Sequence, residues 1–325
     1  MKLCVQVEEW PDTTPIRISR EVTVSARVVV VELVDGSYRG RGECSPYHHF
    51  GESVGSVVET LERVRGEVEA GLRREELQEM LPAGSARNVL DCALWDLEAK
   101  RTGTPVWRLA GAPEPRPLIT TLTLSLDTPE AMAAAARRAD GFSMLKLKLG
   151  ADQDLERVAA IHTAVPDVKL VVDVNEGWTP RQLEDYLPRL AAMGVRMIEQ
   201  PLTAGEDKAL AEIDRMIPIC ADESCLSRES LPSLAGRYDM VNIKLDKTGG
   251  LTEALALARE AREADLEVMV GCMPGTSLAM APATVVGVYA RFVDLDTPLF
   301  RTRDRDHGLR YENGMVYPPT PELWG

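Results

Sequence analysis

Five short apolar segments in the middle of the chain each end in a charged residue, and they recur every 22 to 26 residues. The segments close with Lys148, Asp173, Glu199, Asp222 and Lys244. One β-strand, one helix and two loops consume roughly this length of chain, so the interval predicts successive βα units. In a closed barrel of parallel strands, the carboxyl ends converge on one face, where active sites of this fold lie. The pattern therefore predicts two amines and three carboxylates on one face of a barrel.

Composition limits which partners such a barrel can have. The chain has 325 residues, of which 45% are hydrophobic, enough for one large barrel and a smaller unit. Its net charge of −14 argues against nucleic acid and anionic membrane surfaces as partners. The six cysteines form no CxxC pair, as is typical of reduced thiols in a cytoplasmic protein. No signal peptide or membrane span is predicted, and whether the chain forms a homo-oligomer is left open.

The first third of the chain shows a different pattern from the rest. Alternating, valine-rich stretches predict an antiparallel meander, and helical periodicity follows them. The predicted strands and helices cover residues 2–8, 26–33, 38–44, 53–70, 74–80 and 85–101. Strands followed by helices predict an α+β unit over residues 1–112, which a proline-rich linker joins to the remainder.

Strand and helix patterns alternate after the linker, over residues 113–299. The five central segments are flanked by three further predicted strands, at residues 118–124, 266–271 and 290–295. Eight strands with helices between them predict an α/β barrel. The last residues, 300–325, contain three prolines, and we expect them to return to the N-terminal unit.

The charged residues at the strand ends predict chemistry as well as fold. Asp173, Glu199 and Asp222 would supply the oxygen ligands that Mg²⁺ prefers. A single carboxylate at a strand end could equally cap a helix or pair with a lysine, but three on consecutive strands favour a metal site. Lys148 and Lys244 lie on either side of the carboxylate row, which suits an acid and a base that act on opposite faces of one carbon.

These segments, in this order, resemble the enolase superfamily, and more narrowly its muconate-lactonizing subgroup and the dipeptide epimerases. The motifs that carry the resemblance are Lys146-Leu-Lys148, Asp173-Val-Asn175, Glu199-Gln-Pro201, Asp222-Glu-Ser224, Lys244, Gly271-Cys-Met273 and Asp294-Leu-Asp296. The resemblance implies a modified TIM barrel, (β/α)7β, under an α+β capping domain that the C-terminal segment completes. It also implies Mg²⁺ and a small dipeptide substrate, with inversion at the α-carbon of the second residue.

The resemblance also implies roles for individual residues in the barrel. Lys148 and Lys244 would exchange the α-proton through an enolate that Mg²⁺ stabilises, with burial and nearby cations lowering their pKa values. Lys146 would contact the substrate carboxylate, and Asp294 with Asp296 would hold the dipeptide ammonium group. Cys272 and Met273 would line the pocket. The roles of Asn175, Glu223, Asp246 and Lys247 are left open between support of the site and ordinary structure.

Substrate choice is expected to come from the capping domain. Arg20, in the loop between the first two strands, corresponds to a family arginine that reads an acidic side chain, and it is favoured over nearby Arg17. The implied substrates are L-Ala-L-Glu and L-Ala-D-Glu, in murein peptide metabolism.

Two kinds of alternative remain from the sequence. One is another reaction of the same subgroup, such as N-succinylamino acid racemisation, o-succinylbenzoate synthesis or cycloisomerisation, or an epimerase for a different dipeptide. Succinylated substrates lack an ammonium group, so the pair Asp294 and Asp296 argues against them. The other is a ligand-binding barrel without activity, which would need no acid and base on opposing faces.

Overall fold

The structure is a computed structural model that describes residues 1–325. Its first part is an antiparallel meander in which the second strand lies between the other two. The strands are β1 (Lys2–Arg17), β2 (Val22–Asp35) and β3 (Tyr38–Cys44). Helices follow as α1 (Val54–Arg63), α2 (Arg65–Glu69), α3 (Arg74–Met80), α4 (Ser85–Thr102) and α5 (Val106–Leu109). The predicted α+β arrangement is therefore present in the first third of the chain.

The valine-rich centre of β2 is buried on both of its faces. Val29 and Val31 pack in a cluster with the helices of the capping unit. Val28 and Val30 belong to the cluster that continues into the barrel. Because successive side chains of a strand point to opposite faces, a strand between two cores needs apolar residues at every position. The run of valines thus places β2 between the capping helices and the barrel.

The rest of the chain forms a barrel of eight parallel strands, which confirms the predicted fold. After β4 (Leu118–Ile119), which lies outside the barrel, its strands are β5 (Leu122–Leu124), β6 (Met144–Lys148), β7 (Lys169–Asp173), β8 (Val195–Glu199), β9 (Ile219–Ala221), β10 (Met240–Ile243), β11 (Glu267–Val270) and β12 (Phe292–Val293). They pair in sequence order, from β5 to β12. The amide of Thr121 donates to the carbonyl of Val293 at 2.9 Å and joins the two ends of the sheet.

Helices surround the barrel on its outer side. They are α6 (Pro129–Arg137), α7 (Asp154–Ala164), α8 (Pro180–Ala192), α9 (Leu231–Leu234), α10 (Leu245–Thr248), α11 (Leu251–Glu263) and α12 (Ser277–Gly287). Short 3₁₀ turns occur at His48–Phe50, Asp207–Ala211, Arg228–Ser230 and Thr297–Phe300. None of the helices has both the length and the apolar character that a bilayer crossing requires.

The C-terminal segment contacts both parts of the molecule. Its hairpin, β13 (Tyr311–Glu312) and β14 (Met315–Val316), pairs with β4. Farther on, the indole of Trp324 donates to the carbonyl of Cys92 in α4 at 3.0 Å. The segment therefore returns to the N-terminal unit, although the domain boundary at residues 112 and 113 stays a prediction.

Several predicted elements differ in extent from those observed. The predicted strand 118–124 is divided, because Leu118–Ile119 pairs with β14 and only Leu122–Leu124 joins the barrel. The predicted helix 53–70 is interrupted at Val64, and the last barrel strand is only Phe292–Val293. By contrast, β1 and β2 run well beyond their predicted ends, to Arg17 and from Val22.

Candidate active site

The barrel interior is built in layers, and the candidate site is the layer above an apolar one. Seven side chains fill the lower layer, namely Met144, Val171, Met197, Cys220, Met240, Met269 and Phe292. Every second residue of a strand points to the same face, so the residue two positions later in each strand lies in the layer above. The layer above contains Lys146, Asp173, Glu199, Asp222, Asn242, Gly271 and Asp294. Strand periodicity thus brings the predicted site residues of the barrel together at its carboxyl end.

Lys146 lies at the centre of this polar layer, with its side chain only 1% exposed. Its ammonium group is 2.7 Å from Asp294, 2.8 Å from Glu199 and 3.1 Å from Asp173. Burial alone would lower the pKa of Lys146, but the three carboxylates raise it well above its ordinary value. This lysine therefore stays charged, and it links the carboxylate row to the last strand.

The two candidate acid–base lysines approach the carboxylate row from opposite ends. Lys148 Nζ lies 2.6 Å from Asp173, and Lys244 Nζ lies 2.7 Å from Asp222. Burial would lower the pKa of Lys244, but Asp222 and Glu199 outweigh burial and raise it. The expectation of a lowered pKa is therefore wrong for Lys244 in this structure, because its nearest charged neighbours are carboxylates.

The three carboxylates differ in whether neighbouring lysines outweigh the effect of burial on their pKa values. Burial would raise the pKa of Asp173, but Lys146 and Lys148 lower it below its ordinary value. Burial would also raise the pKa of Asp222, but Lys244 and Lys247 lower it well below its ordinary value. For Glu199, burial and the neighbouring charge of Asp173 raise the pKa to about 7.

The donor set of this row suits a hard divalent cation. Asp173 and Glu199 are direct neighbours in the pairing of β7 with β8, and all three carboxylates, including Asp222, are almost fully buried. Glu199 Oε2 is buried and accepts no hydrogen bond, although Lys146 is near it. In this structure ammonium groups pair with the carboxylates, and no three acidic, histidine or cysteine side chains converge on one ion position. Ligand identity therefore fits Mg²⁺, while the side chains are arranged as ion pairs.

Asp294 and Asp296 lie where the barrel closes. The hydroxyl of Thr121 donates to Asp294 at 2.8 Å, and the amide of Thr123 donates to Asp296. Burial and the charge of Asp294 raise the pKa of Asp296 to about 7. Cys272, from the loop after β11, donates its thiol to the carbonyl of Asp294 at 3.2 Å. Two carboxylates are thus held side by side on the wall of the site.

Arg20 reaches the site from the capping unit. Its guanidinium donates to the hydroxyl of Tyr47 at 3.0 Å and to the carbonyl of Asn175 at 3.2 Å. It also pairs with Glu223 at 2.6 Å and with Glu176 at 3.3 Å. These partners come from the capping loops and from the ends of β7 and β9. Arg20 therefore spans the interface between the two parts of the molecule.

One cavity, with a volume of roughly 830 Å³ including its open mouth, collects most of the predicted residues. Nine of the predicted site residues line it, namely Arg20, Lys146, Lys148, Asp222, Lys244, Cys272, Met273, Asp294 and Asp296. Asp173 and Glu199 do not line the cavity, and they lie behind the lysines that pair with them. Arg17, the less favoured alternative to Arg20, is exposed and lies outside the lining.

Comparison with known proteins identifies this architecture. Residues 1–111 match the mandelate racemase / muconate lactonizing enzyme N-terminal domain, and residues 130–322 match the enolase C-terminal domain-like family. The chain belongs to the enolase superfamily. The resemblance drawn from the strand-end motifs is thereby confirmed.

Individual relatives within the superfamily are racemases and epimerases. The L-Ala-D/L-Glu epimerase of Escherichia coli (strain K12) is 48% identical over 312 residues, covering 95% of this chain and 97% of that protein. The N-acetyl-D-glutamate racemase of a Pseudoalteromonas species is 43% identical over 304 residues, covering 92% and 95%. This enolase-superfamily chain is therefore an isomerase.

A solved structure shows the same fold over the whole chain. An enolase family member from Agrobacterium tumefaciens, with homology to dipeptide epimerases, superimposes with a TM-score of 0.97. It is 47% identical, covers 99% of both chains, and contains sodium and L-Ala-L-Glu. Other solved relatives contain Mg with a dipeptide.

Two further buried residues contact the carboxylate row, and of these the sequence left open the role of Lys247 only. Lys247 is buried, and its ammonium group contacts the carboxylate and the carbonyl of Asp222, each at 2.6 Å. Asn242 donates to Glu199 at 2.7 Å, and no feature of the sequence had singled it out. The signal that could have found Asn242 is its position, two residues before Lys244 on the same strand face.

Proposed function

We propose that this chain is a dipeptide epimerase that interconverts L-Ala-L-Glu and L-Ala-D-Glu, in which one lysine removes the α-proton and a second lysine donates a proton to the opposite face. The observation that carries the proposal is the placement of Lys148 on β6 and Lys244 near the end of β10. These strands are four apart in an eight-stranded barrel, so the two amines face the cavity from opposite sides. Inversion at a carbon needs a base on one face and an acid on the other.

The other residues of the cavity would orient the dipeptide between these lysines. Asp294 and Asp296 would accept the ammonium group of the first residue, and Arg20 would bind the acidic side chain of the second. Lys146 would compensate the charge of the main-chain carboxylate. In this pose the α-carbon of the second residue lies between Lys148 and Lys244. One lysine, as the neutral amine, removes the α-proton from one face, and the other, as the ammonium, donates its own proton to the opposite face.

We further propose that Asp173, Glu199 and Asp222 hold Mg²⁺. When bound, the ion would neutralise the negative charge that develops on the substrate carboxylate as the α-proton leaves. We extend the proposal to a cytoplasmic role in murein peptide metabolism, which rests on the motif resemblance alone.

Isotope exchange tests the two-lysine mechanism directly. The wild-type enzyme in D₂O should incorporate deuterium at the α-carbon of glutamate from both L-Ala-L-Glu and L-Ala-D-Glu. Lys148→Ala and Lys244→Ala should each stop epimerisation, and each should retain exchange with only one epimer, of opposite configuration in the two variants. Lys208→Ala, at an exposed position, serves as the control. Exchange of both epimers at equal rates in either active-site variant would overturn the proposal.

One alternative has a specific observation in its favour. A relative that is 43% identical is an N-acetyl-D-glutamate racemase, and an acetylated substrate has no ammonium group for Asp294 and Asp296. Both substrates keep the glutamate that Arg20 would bind. Comparing kcat/KM for L-Ala-L-Glu and N-acetyl-L-glutamate decides between the two, since a dipeptide epimerase should prefer the first.

A further inference from the structure

The cavity wall also contains residues that the proposed function does not use. They are Ile16, Thr23, Pro274 and Phe300, which we call the apolar lobe. Ile16, Thr23 and Phe300 are only partly buried, although they face a cavity inside the molecule. The lobe therefore offers apolar surface that a ligand could cover.

An irregularity of β1 builds this lobe. Between Pro11 and Ile16, β1 has more residues than the facing part of β2, so the chain bulges away from the meander. The bulge docks on the segment after Asp296. There the amide of Thr302 donates to Pro11 at 2.9 Å, and the hydroxyl of Thr13 donates to Phe300 at 3.2 Å. The lobe is thus fixed on the side of the cavity that contains Asp296.

A buried ion pair forms part of the wall beside the lobe. Asp12 and Arg301 form a salt bridge, with side chains that are 1% and 3% exposed. Because the two charges compensate each other, the pair presents no net charge to a ligand. The lobe therefore suits an uncharged side chain better than a charged one.

The two ends of the cavity differ in character and lie across the barrel from one another. Arg20 is held by residues at the ends of β7 and β9, whereas the lobe adjoins the residues after β11 and β12. In the strand order, β7 to β9 lie opposite β11 and β12. A dipeptide with its acidic side chain at Arg20 would therefore present its first residue to the lobe.

We infer that the apolar lobe is the subsite for the side chain of the first residue, and that it takes uncharged side chains larger than the methyl group of alanine. The inference rests on the proposed function, in which Asp294 and Asp296 hold the ammonium group. The side chain of that residue is attached to the same carbon as the ammonium group. It must therefore project close to Asp296, where Thr297 and Phe300 form the next part of the wall.

The wild-type enzyme provides the first test. With kcat/KM for L-Ala-L-Glu as the reference, L-Val-L-Glu and L-Leu-L-Glu should each be within about twentyfold, and L-Lys-L-Glu should be poorer than L-Leu-L-Glu. A larger loss for L-Leu-L-Glu, or a preference for L-Lys-L-Glu over it, would overturn the inference. Absence of turnover with L-Ala-L-Glu would instead contradict the proposed function, so the two failures are distinguishable.

Two variants locate the subsite. Ile16→Trp should fill the lobe and lower the ratio of kcat/KM for L-Leu-L-Glu over L-Ala-L-Glu by at least about tenfold. Phe300→Ala should widen it and raise the ratio for L-Phe-L-Glu over L-Ala-L-Glu, which decides the matter if the tryptophan variant does not fold. Val24→Trp is the matched control, because Val24 is 61% exposed on the other face of β2 from Thr23. Unchanged ratios in folded Ile16 and Phe300 variants would overturn the inference.

Discussion

Lys247 shows how strongly a single buried charge depends on its partners. Its ammonium group donates to the carboxylate of Asp222 and to the carbonyl of Asn242, and its side chain has no exposed surface. A lysine in this position secures the orientation of Asp222, because it donates to the carboxylate and the carbonyl of Asp222, just after β9, and to the carbonyl of Asn242 within β10. The role of Lys247, which the sequence left open, is therefore to support the carboxylate row.

Replacing Lys247 by methionine should destabilise the protein strongly. The apolar side chain fills nearly the same volume, but it leaves the carboxylate of Asp222 with only Lys244 as a charged partner. Removing one partner of a buried ion pair costs about 3–5 kcal/mol. Urea denaturation should show this loss, whereas the exposed Lys208→Met should change the free energy of unfolding by less than about 0.5 kcal/mol. Similar values for both variants would contradict the role given to Lys247.

Glu199→Gln tests the proposed metal site at its middle carboxylate, which has no exposed surface. The amide keeps the shape of the side chain but removes the charge at the middle of the carboxylate row. Isothermal titration calorimetry should show a loss of Mg²⁺ affinity. The activation free energy of turnover should rise by several kcal/mol, since the proposed ion would stabilise developing charge. Glu212→Gln, at an exposed position, is the control. Mg²⁺ affinity and turnover both within about tenfold of wild type would rule out Glu199 as a ligand.

At the scale of elements, the loop between β1 and β2 carries the proposed specificity. It places Arg20 over the cavity, where Tyr47 and the carbonyl of Asn175 fix the guanidinium. Glu223 and Glu176 also pair with it, so an acidic substrate would approach an arginine that already has carboxylate partners. This arrangement predicts that the loop selects among second residues rather than taking part in proton transfer.

Arg20→Ala should therefore reduce discrimination more than it reduces catalysis. We expect kcat/KM for L-Ala-L-Glu to fall by a factor that corresponds to a loss of about 2–3 kcal/mol of transition-state stabilisation. This is the range for a lost hydrogen bond to a charged group. L-Ala-L-Met should lose much less, because it has no carboxylate side chain to pair. Arg17→Ala, from the same strand-and-loop region but exposed, should leave both values near wild type. An unchanged preference for glutamate over methionine in Arg20→Ala would refute the specificity assignment.

The elements also show how far sequence patterns can predict this fold. The five central barrel strands were predictable because an apolar run that ends in a charged residue marks each of them and its carboxyl end. The division of the predicted strand 118–124 was not, because the partner of Leu118–Ile119 is the distant strand Met315–Val316. The extension of β1 to Arg17 was missed because Pro11 and Pro15 read as breaks, whereas a bulge accommodates them.

The same distinction applies to the candidate site. The recurring strand ends predicted the row Lys148, Asp173, Glu199, Asp222 and Lys244, because the carboxyl ends of barrel strands converge on one face. The family resemblance added the roles of Lys146, Asp294 and Asp296. The contacts of Arg20 with Glu223 and of Asn242 with Glu199 depend on tertiary packing between separate segments. Such contacts carry no local signal, so the sequence could suggest candidates for them but not the pairs.

At the scale of the whole molecule, the capping unit and the barrel are joined through buried polar groups. Arg87 in α4 donates to the carbonyls of Thr248 and Gly249 at 2.7 and 3.1 Å. Asp246, two residues after Lys244, accepts hydrogen bonds from the amide of Ser45 and the side chain of Asn88, both at 3.0 Å. A carboxylate at the junction of the two parts is thus directly linked to the strand that carries a proposed acid–base lysine.

Asp246 should make the stability of this junction depend on pH. Burial raises the pKa of its carboxyl group from an ordinary 3.8 to about 7. The folded protein therefore binds this proton more tightly than the unfolded chain does. The stability contribution is fully present below pH about 4, is lost as the pH rises toward 7, and stays lost above it. The side chain of Asp246→Asn cannot ionise, so the variant should not lose this stability as the pH rises.

The measurement is the free energy of unfolding of wild type and Asp246→Asn at pH 5 and pH 8. Relative to the variant, the wild type should be less stable at pH 8 than at pH 5 by on the order of 2 kcal/mol, since each unit of pKa shift corresponds to about 1.4 kcal/mol. Other buried carboxyl groups titrate in this window, among them Asp91, whose pKa burial raises to about 6. They are present in both proteins, so the difference between the two isolates Asp246. An equal difference at both pH values would show that Asp246 is ionised in the same way in the folded and the unfolded chain.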